Sequence, residues 1–113
     1  KSELVIADKL FARGIEYAYE APLVLASGRT RYPDFTVTDH AQGVTFYWEH
    51  LGLLEDPEYR ARWERKRHEY MENGILSWED GGGEAGTLIE TSDDAGGGLD
   101  AEKIAWLIDN VIR

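Results

Sequence analysis

A chain of 113 residues is sized for a single compact domain, taken here as residues 1–113. Its 42% hydrophobic content, with four Trp, six Tyr and three Phe, is enough to bury a core and excludes a disordered chain, while the lack of cysteine excludes a disulfide framework, a thiolate zinc site and a cysteine nucleophile. The formal charge of -10 argues against a broad electrostatic grip on nucleic acid.

In chain order, Ser2 is expected to cap a first helix over residues 3–13, with Leu4, Ala7, Leu10 and Phe11 at helical spacing and Gly14 closing it. Residues 15–25 read as a first strand ending near Ser27-Gly28. Residues 32–39 and 44–49 read as a second and third strand joined by His40-Ala41-Gln42-Gly43, a normal hairpin loop. Asp56-Pro57 opens a second helix to Glu72, stopped by Asn73-Gly74, with Tyr59, Trp63, Lys66 and Tyr70 on one face. Residues 86–91 form a fourth strand, and Asp100 caps a last helix to about Ile112. The fold class is α/β, a small mixed sheet flanked by helices in the order α-β-β-β-α-β-α.

The hairpin fixes its own register. With residues 40–43 as the loop, Phe35 faces Trp48 and Val37 faces Phe46 on an apolar surface. On the other surface Asp34 faces Glu49, Thr36 faces Tyr47 and Thr38 faces Thr45. A shift by one residue would mix the two sets. Opposed carboxylates at Asp34 and Glu49 repel unless one is protonated or a cation lies between them, and oxygen ligands suit Mg²⁺ or Mn²⁺. A solvated acidic pair at a sheet end is the plainer alternative.

Charge is uneven along the chain. Residues 76–102 hold eight acids and no Lys or Arg, which leaves 14 acids against 12 bases elsewhere. Acidity thus leaves room for a local basic site. No apolar run is long enough to span a membrane, no basic-then-apolar leader is present, and the first residue is Lys1. The expectation is an intracellular, cytoplasmic piece of a longer protein.

Pro33-Asp34-Phe35-Thr36, Trp48-Glu49-His50-Leu51-Gly52, Ser2-Glu3 and Tyr19-Glu20-Ala21-Pro22-Leu23, on the expected elements, resemble the PD-(D/E)XK nuclease superfamily. The likeness is to the RecB-like nuclease domains attached to helicases and other DNA-processing proteins, and it covers nearly the whole chain. The resemblance implies metal-dependent hydrolysis of DNA phosphodiesters, with Asp34, Glu49 and the His50 carbonyl as ligands of Mg²⁺ or Mn²⁺. It also implies a supporting role for Glu3. DNA and the remainder of a parent chain, such as a helicase, are the implied partners. One position departs from the pattern: Leu51 stands where the family has a lysine. Lys66 on the second helix is the substitute the resemblance suggests, giving Glu3, Asp34, Glu49 and Lys66 as the catalytic set. Arg62, Lys66 and Tyr70 are candidate nucleic-acid contacts, although an aromatic stripe at helical spacing also suits a core and the charged helix a solvated, salt-bridged face. Because of Leu51, a catalytically inactive nuclease-like module that binds DNA or docks a protein is the alternative. An acidic interaction domain without a nucleic-acid role is a third reading.

Overall fold

The computed structural model describes residues 2–113. Its elements are α1 (Ser2–Ala12), β1 (Ala18–Tyr19), β2 (Leu23–Val24), β3 (Thr30–Arg31), β4 (Phe35–Asp39), β5 (Val44–Leu51), α2 (Pro57–Glu72), β6 (Ile75–Ser77), β7 (Gly86–Ser92) and α3 (Ala101–Leu107). A π-helical turn, Ile108–Ile112, continues α3. Five strands form a mixed sheet in the order β1-β4-β5-β7-β6, antiparallel at β1–β4 and β4–β5, parallel at β5–β7 and β7–β6. The expected α/β class with a small mixed sheet and flanking helices is therefore observed.

The β4–β5 register pairs Phe35 with Trp48, Thr36 with Tyr47, Val37 with Phe46 and Thr38 with Thr45, as alternation of apolar and polar residues dictates. Helices cover both faces. Phe35, Val37, Phe46 and Trp48 pack with Ile6 and Leu10 of α1 and Ile104 and Leu107 of α3. Leu51 and Leu88 pack on the other side with Trp63 and Tyr70 of α2. The polar side of the hairpin is thus not a free surface: α2 lies over it, and Glu49 is only 5% exposed.

Helix α2 begins as its sequence requires. The Asp56 carboxylate accepts from the Glu58 N–H at 2.9 Å, and Pro57 occupies the first turn. Gly14, at φ 69°, closes α1, where the Ile15 N–H reaches the Leu10 carbonyl at 3.0 Å. Ser2 lies within α1, and its hydroxyl donates to Asp93 at 2.8 Å instead of capping the helix.

Two expected strands are also corrected, and one strand is added. Residues 15–25 do not make one strand. Glu20 takes a left-handed φ of 50°, and Pro22 lacks an N–H, so the chain turns out of the sheet after β1. It re-forms as β2, paired with β3 in a separate two-stranded ribbon (Leu23 opposite Arg31, Val24 opposite Thr30). The next strand starts at Phe35, not at residue 32, because Pro33 cannot donate to a ladder. Finally, β6 adds a parallel edge strand on β7, too short to leave a sequence pattern. The observed order is richer than α-β-β-β-α-β-α by the β2–β3 ribbon and β6.

Candidate active site

The hairpin register and the α2 crossover bring four side chains from distant parts of the chain to one cavity of about 300 Å³. Glu3 comes from the first turn of α1, Asp34 from the residue before β4, Glu49 from β5 and Lys66 from α2. The four residues named from the resemblance as a catalytic set share this pocket, with Tyr59, Arg62 and Trp63 completing its α2 wall.

Glu49 is held from α2. The Tyr70 hydroxyl donates to its Oε2 at 2.5 Å, and the Lys66 Nζ stands 2.8 Å from the same oxygen. Burial of Tyr70 and the neighbouring Glu49 charge push its phenol far above the ordinary value, so the hydroxyl remains a donor. Tyr70, expected to contact nucleic acid, is fully buried and has no face to offer a base. It positions Glu49. Lys66 delivers its ammonium to the carboxylate next to which Leu51 supplies none; Leu51 itself is buried in the α2-side core.

Asp34 lies in a different setting. Its Oδ2 accepts from the His50 N–H at 2.7 Å. Burial drives its carboxyl up to about 7; the His50 N–H opposes the rise, the charges of Glu49 and Glu3 add to it, and Lys66 opposes it. A carboxylate so placed gains from any cation brought alongside it.

Three carboxylates, Glu3, Glu20 and Asp34, offer oxygens all within 4.8 Å of one another. Glu49 is not one of the three, although it shares the cavity with Glu3 and Asp34. The expected acid pair thus has further carboxylate neighbours: Asp34 lies with Glu3 and Glu20, and Glu49 shares the cavity with its Lys66 and Tyr70 partners. Glu20 reaches this position through its left-handed backbone, where its N–H donates to the Asp34 carbonyl at 3.0 Å. Tyr19 fixes Glu3 by donating to Oε1 at 2.5 Å, a bond that pushes the phenol up to about 12. An all-oxygen donor set of this kind fits a hard divalent cation and does not fit a soft one.

The His50 side chain points to the opposite face, as alternation requires. Trp48 Nε1–H donates to the Thr91 hydroxyl oxygen at 2.8 Å. His50 Nδ1 lies 2.8 Å from that same oxygen, and its Nε2 lies 2.9 Å from Asp93. Burial alone would raise Asp93, but hydrogen bonds from His50 and Ser2 outweigh it and hold the carboxyl below its ordinary value. His50 is therefore a structural link between β5, β7 and α1, and only its backbone faces the pocket.

Beside the pocket, sharing Arg62 and Lys66 with it, runs a groove of about 620 Å³ also lined by Arg29, Arg31 and Arg65. Arg29 ends the β2–β3 turn and Arg31 lies in β3, and sequence reasoning did not single them out. Their alternate spacing after Ser27-Gly28 was the available signal. Glu69 pairs with Arg31 at 2.5 Å and Arg29 at 3.3 Å, pinning the ribbon to α2. Arg62 stacks over Tyr59 with 5.8 Å from guanidinium to ring centroid.

No helix among the described residues is long and apolar enough to cross a membrane. No protein-family model and no solved structure matches the chain. An uncharacterized protein of Methanocaldococcus jannaschii is 38% identical over 77 residues, a match that covers 65% of this chain and 6% of that protein. The chain therefore spans a small fraction of the length of this curated relative.

Proposed function

We propose that the chain is a metal-dependent nuclease domain of the RecB-like kind, hydrolysing DNA phosphodiester bonds with Mg²⁺ or Mn²⁺ as part of a larger cytoplasmic DNA-processing protein. The observation that carries this reading is the convergence of Glu3, Asp34, Glu49 and Lys66 on one cavity. Carboxylates and a lysine so grouped suit phosphodiester chemistry, since one end of the pocket takes a cation and the other supplies one. Glu3, Glu20 and Asp34 are the residues that would hold the ion, with Glu49 across the pocket. When bound, the ion would polarise a phosphate oxygen and make water a better nucleophile.

The residues of the chain do the rest. Lys66 places positive charge beside Glu49, where a phosphate oxygen gains negative charge during displacement. Tyr70 keeps Glu49 oriented by donating to Oε2. Arg62, at the junction of pocket and groove, binds the phosphate that follows the scissile one.

Incubation with single- and double-stranded DNA in Mg²⁺ and in Mn²⁺ tests this reading. Metal-dependent cutting is expected, abolished by Asp34→Ala and Glu49→Ala and lowered about a hundredfold by Lys66→Ala. Cutting that survives all three substitutions would refute the assignment. The second reading, a silent module for DNA binding or protein docking, is favoured by one observation: the lysine position of the motif is a core leucine, Leu51. That module would bind DNA in a salt-dependent way without a requirement for metal.

A further inference from the structure

A second cavity borders the acid pocket at Glu3. A cavity of about 410 Å³ shares Glu3 with the pocket and is walled by Leu4, Tyr17 and Tyr19 over Phe35. Phe35 is fully buried, whereas Tyr19 is 52% and Leu4 65% exposed. The rings are fixed: Tyr17 stands edge-on to Phe35 at 5.4 Å and 76°, and Tyr19 is tilted on it at 5.5 Å and 55°. The Tyr19–Glu3 hydrogen bond ties this shelf to the carboxylate cluster.

The three cavities are therefore neighbours in a row. The groove joins the pocket through Arg62 and Lys66, and the pocket joins the shelf through Glu3. Their chemistry changes in the order that the parts of a nucleotide require. Five of the chain's 12 Lys and Arg residues line the groove, against two acids, Glu69 and Glu72. That concentration, in a chain of net charge -10, is complementary to a phosphate backbone. Carboxylates with oxygen donors follow, and then an apolar, aromatic wall.

We propose that the Tyr17–Tyr19–Leu4 shelf seats an unpaired nucleobase of a strand whose phosphates lie in the groove between the β2–β3 ribbon and α2. The inference rests on reading the pocket as a phosphodiester site and adds to it where the base goes. A base within a duplex is stacked on both faces and cannot reach a shelf at the pocket rim, so the ligand is single-stranded at that nucleotide. Pre-fixed tyrosine rings suit it because stacking accepts any base.

Fluorescence anisotropy with a labelled single-stranded oligonucleotide and its duplex, in EDTA and in the Asp34→Ala background, keeps binding separate from cutting. The single strand is expected to bind at least tenfold more tightly than the duplex. Tyr17→Leu with Tyr19→Leu, which keeps Phe35 covered but removes the aromatic faces, is expected to weaken single-strand binding roughly tenfold. Tyr19→Phe, which loses only the bond to Glu3, is expected to bind within twofold of its background. Arg62→Gln with Arg65→Gln should lower the salt slope by about 0.7 for each phosphate no longer neutralised. Equal affinity for duplex and single strand would overturn the proposal, as would unchanged binding by the leucine pair, which would leave the shelf as a protein-docking face. Absence of any binding overturns it as well. A chain that binds as described but cuts in neither Mg²⁺ nor Mn²⁺ refutes the nuclease reading alone; one that cuts, yet binds normally without the tyrosines, refutes the shelf alone.

Discussion

Asp34 concentrates the electrostatics of the pocket in one side chain. A carboxyl that leaves the unfolded chain with an ordinary acid pKa and reaches about 7 in the fold binds more protons folded than unfolded between those two values. Stability contributed by the neutral form is complete at low pH and is lost as pH rises through 7. Replacing the carboxylate with an amide removes this loss and keeps an oxygen for the His50 N–H. Asp34→Asn is therefore expected to stabilise the metal-free protein at pH 8 by about 2 kcal/mol, after allowance for solvent screening at this part-buried group, and to change little at pH 4. Thermal melts of both proteins across pH 4–8 check the sign; a variant less stable than the wild type at pH 8 would contradict it. Glu49 shows the contrasting arrangement, a buried carboxylate that keeps two donors, Lys66 and Tyr70. The same kind of group serves two purposes because α2 reaches one carboxylate and leaves the other to its acidic neighbours.

At the scale of elements, what was legible in the sequence was whatever had enough residues to make a pattern. The β4–β5 register could be read because five residue pairs alternate consistently, and α2 because Asp56-Pro57 starts it and Asn73-Gly74 stops it. The β2–β3 ribbon and β6 have two or three residues per strand, fewer than any periodicity needs. The left-handed Glu20 was equally hidden, since no residue type requires that conformation there. Asp34 and Glu49 could be named because the hairpin register opposes them, Glu3 because the resemblance carries it, and Lys66 only as a substitute on α2 for the lysine missing at Leu51. Tyr70 was named for the wrong task, because helical spacing gives the face of a residue but not what its hydroxyl meets. The connection into β7 carries its own requirement. Gly86 sits at φ 151°, where an added Cβ would lie 2.4 Å from a ring carbon of Tyr47. Gly86→Ala is expected to cost about 3 kcal/mol through strain and the displaced ring. A urea midpoint equal to that of the wild type would contradict this packing.

Across the whole molecule, charge is separated in space as well as in sequence. The walls of the acid pocket, the arginine groove and the tyrosine shelf are built entirely from residues numbered between 3 and 72. The eight acids of residues 76–102 contribute to none of them. Net charge was thus a poor guide to local charge here: the acidic excess belongs to β7 and the segments around it, while the β2–β3 ribbon and α2 carry the cationic groove beside the acid pocket. The Trp48–Thr91–His50–Asp93–Ser2 chain of contacts joins β5, β7 and α1 behind that face, which positions Glu3 against Asp34. The central claim is that this framework holds its carboxylates together to receive a divalent cation. Calorimetric titration with Mn²⁺ tests it most directly, because it does not depend on how well the isolated domain grips DNA. Saturable binding to the wild-type chain, abolished by Asp34→Ala and weakened by Glu20→Gln, is the predicted result. No saturable binding to the wild type, or binding indifferent to Asp34, would contradict the account.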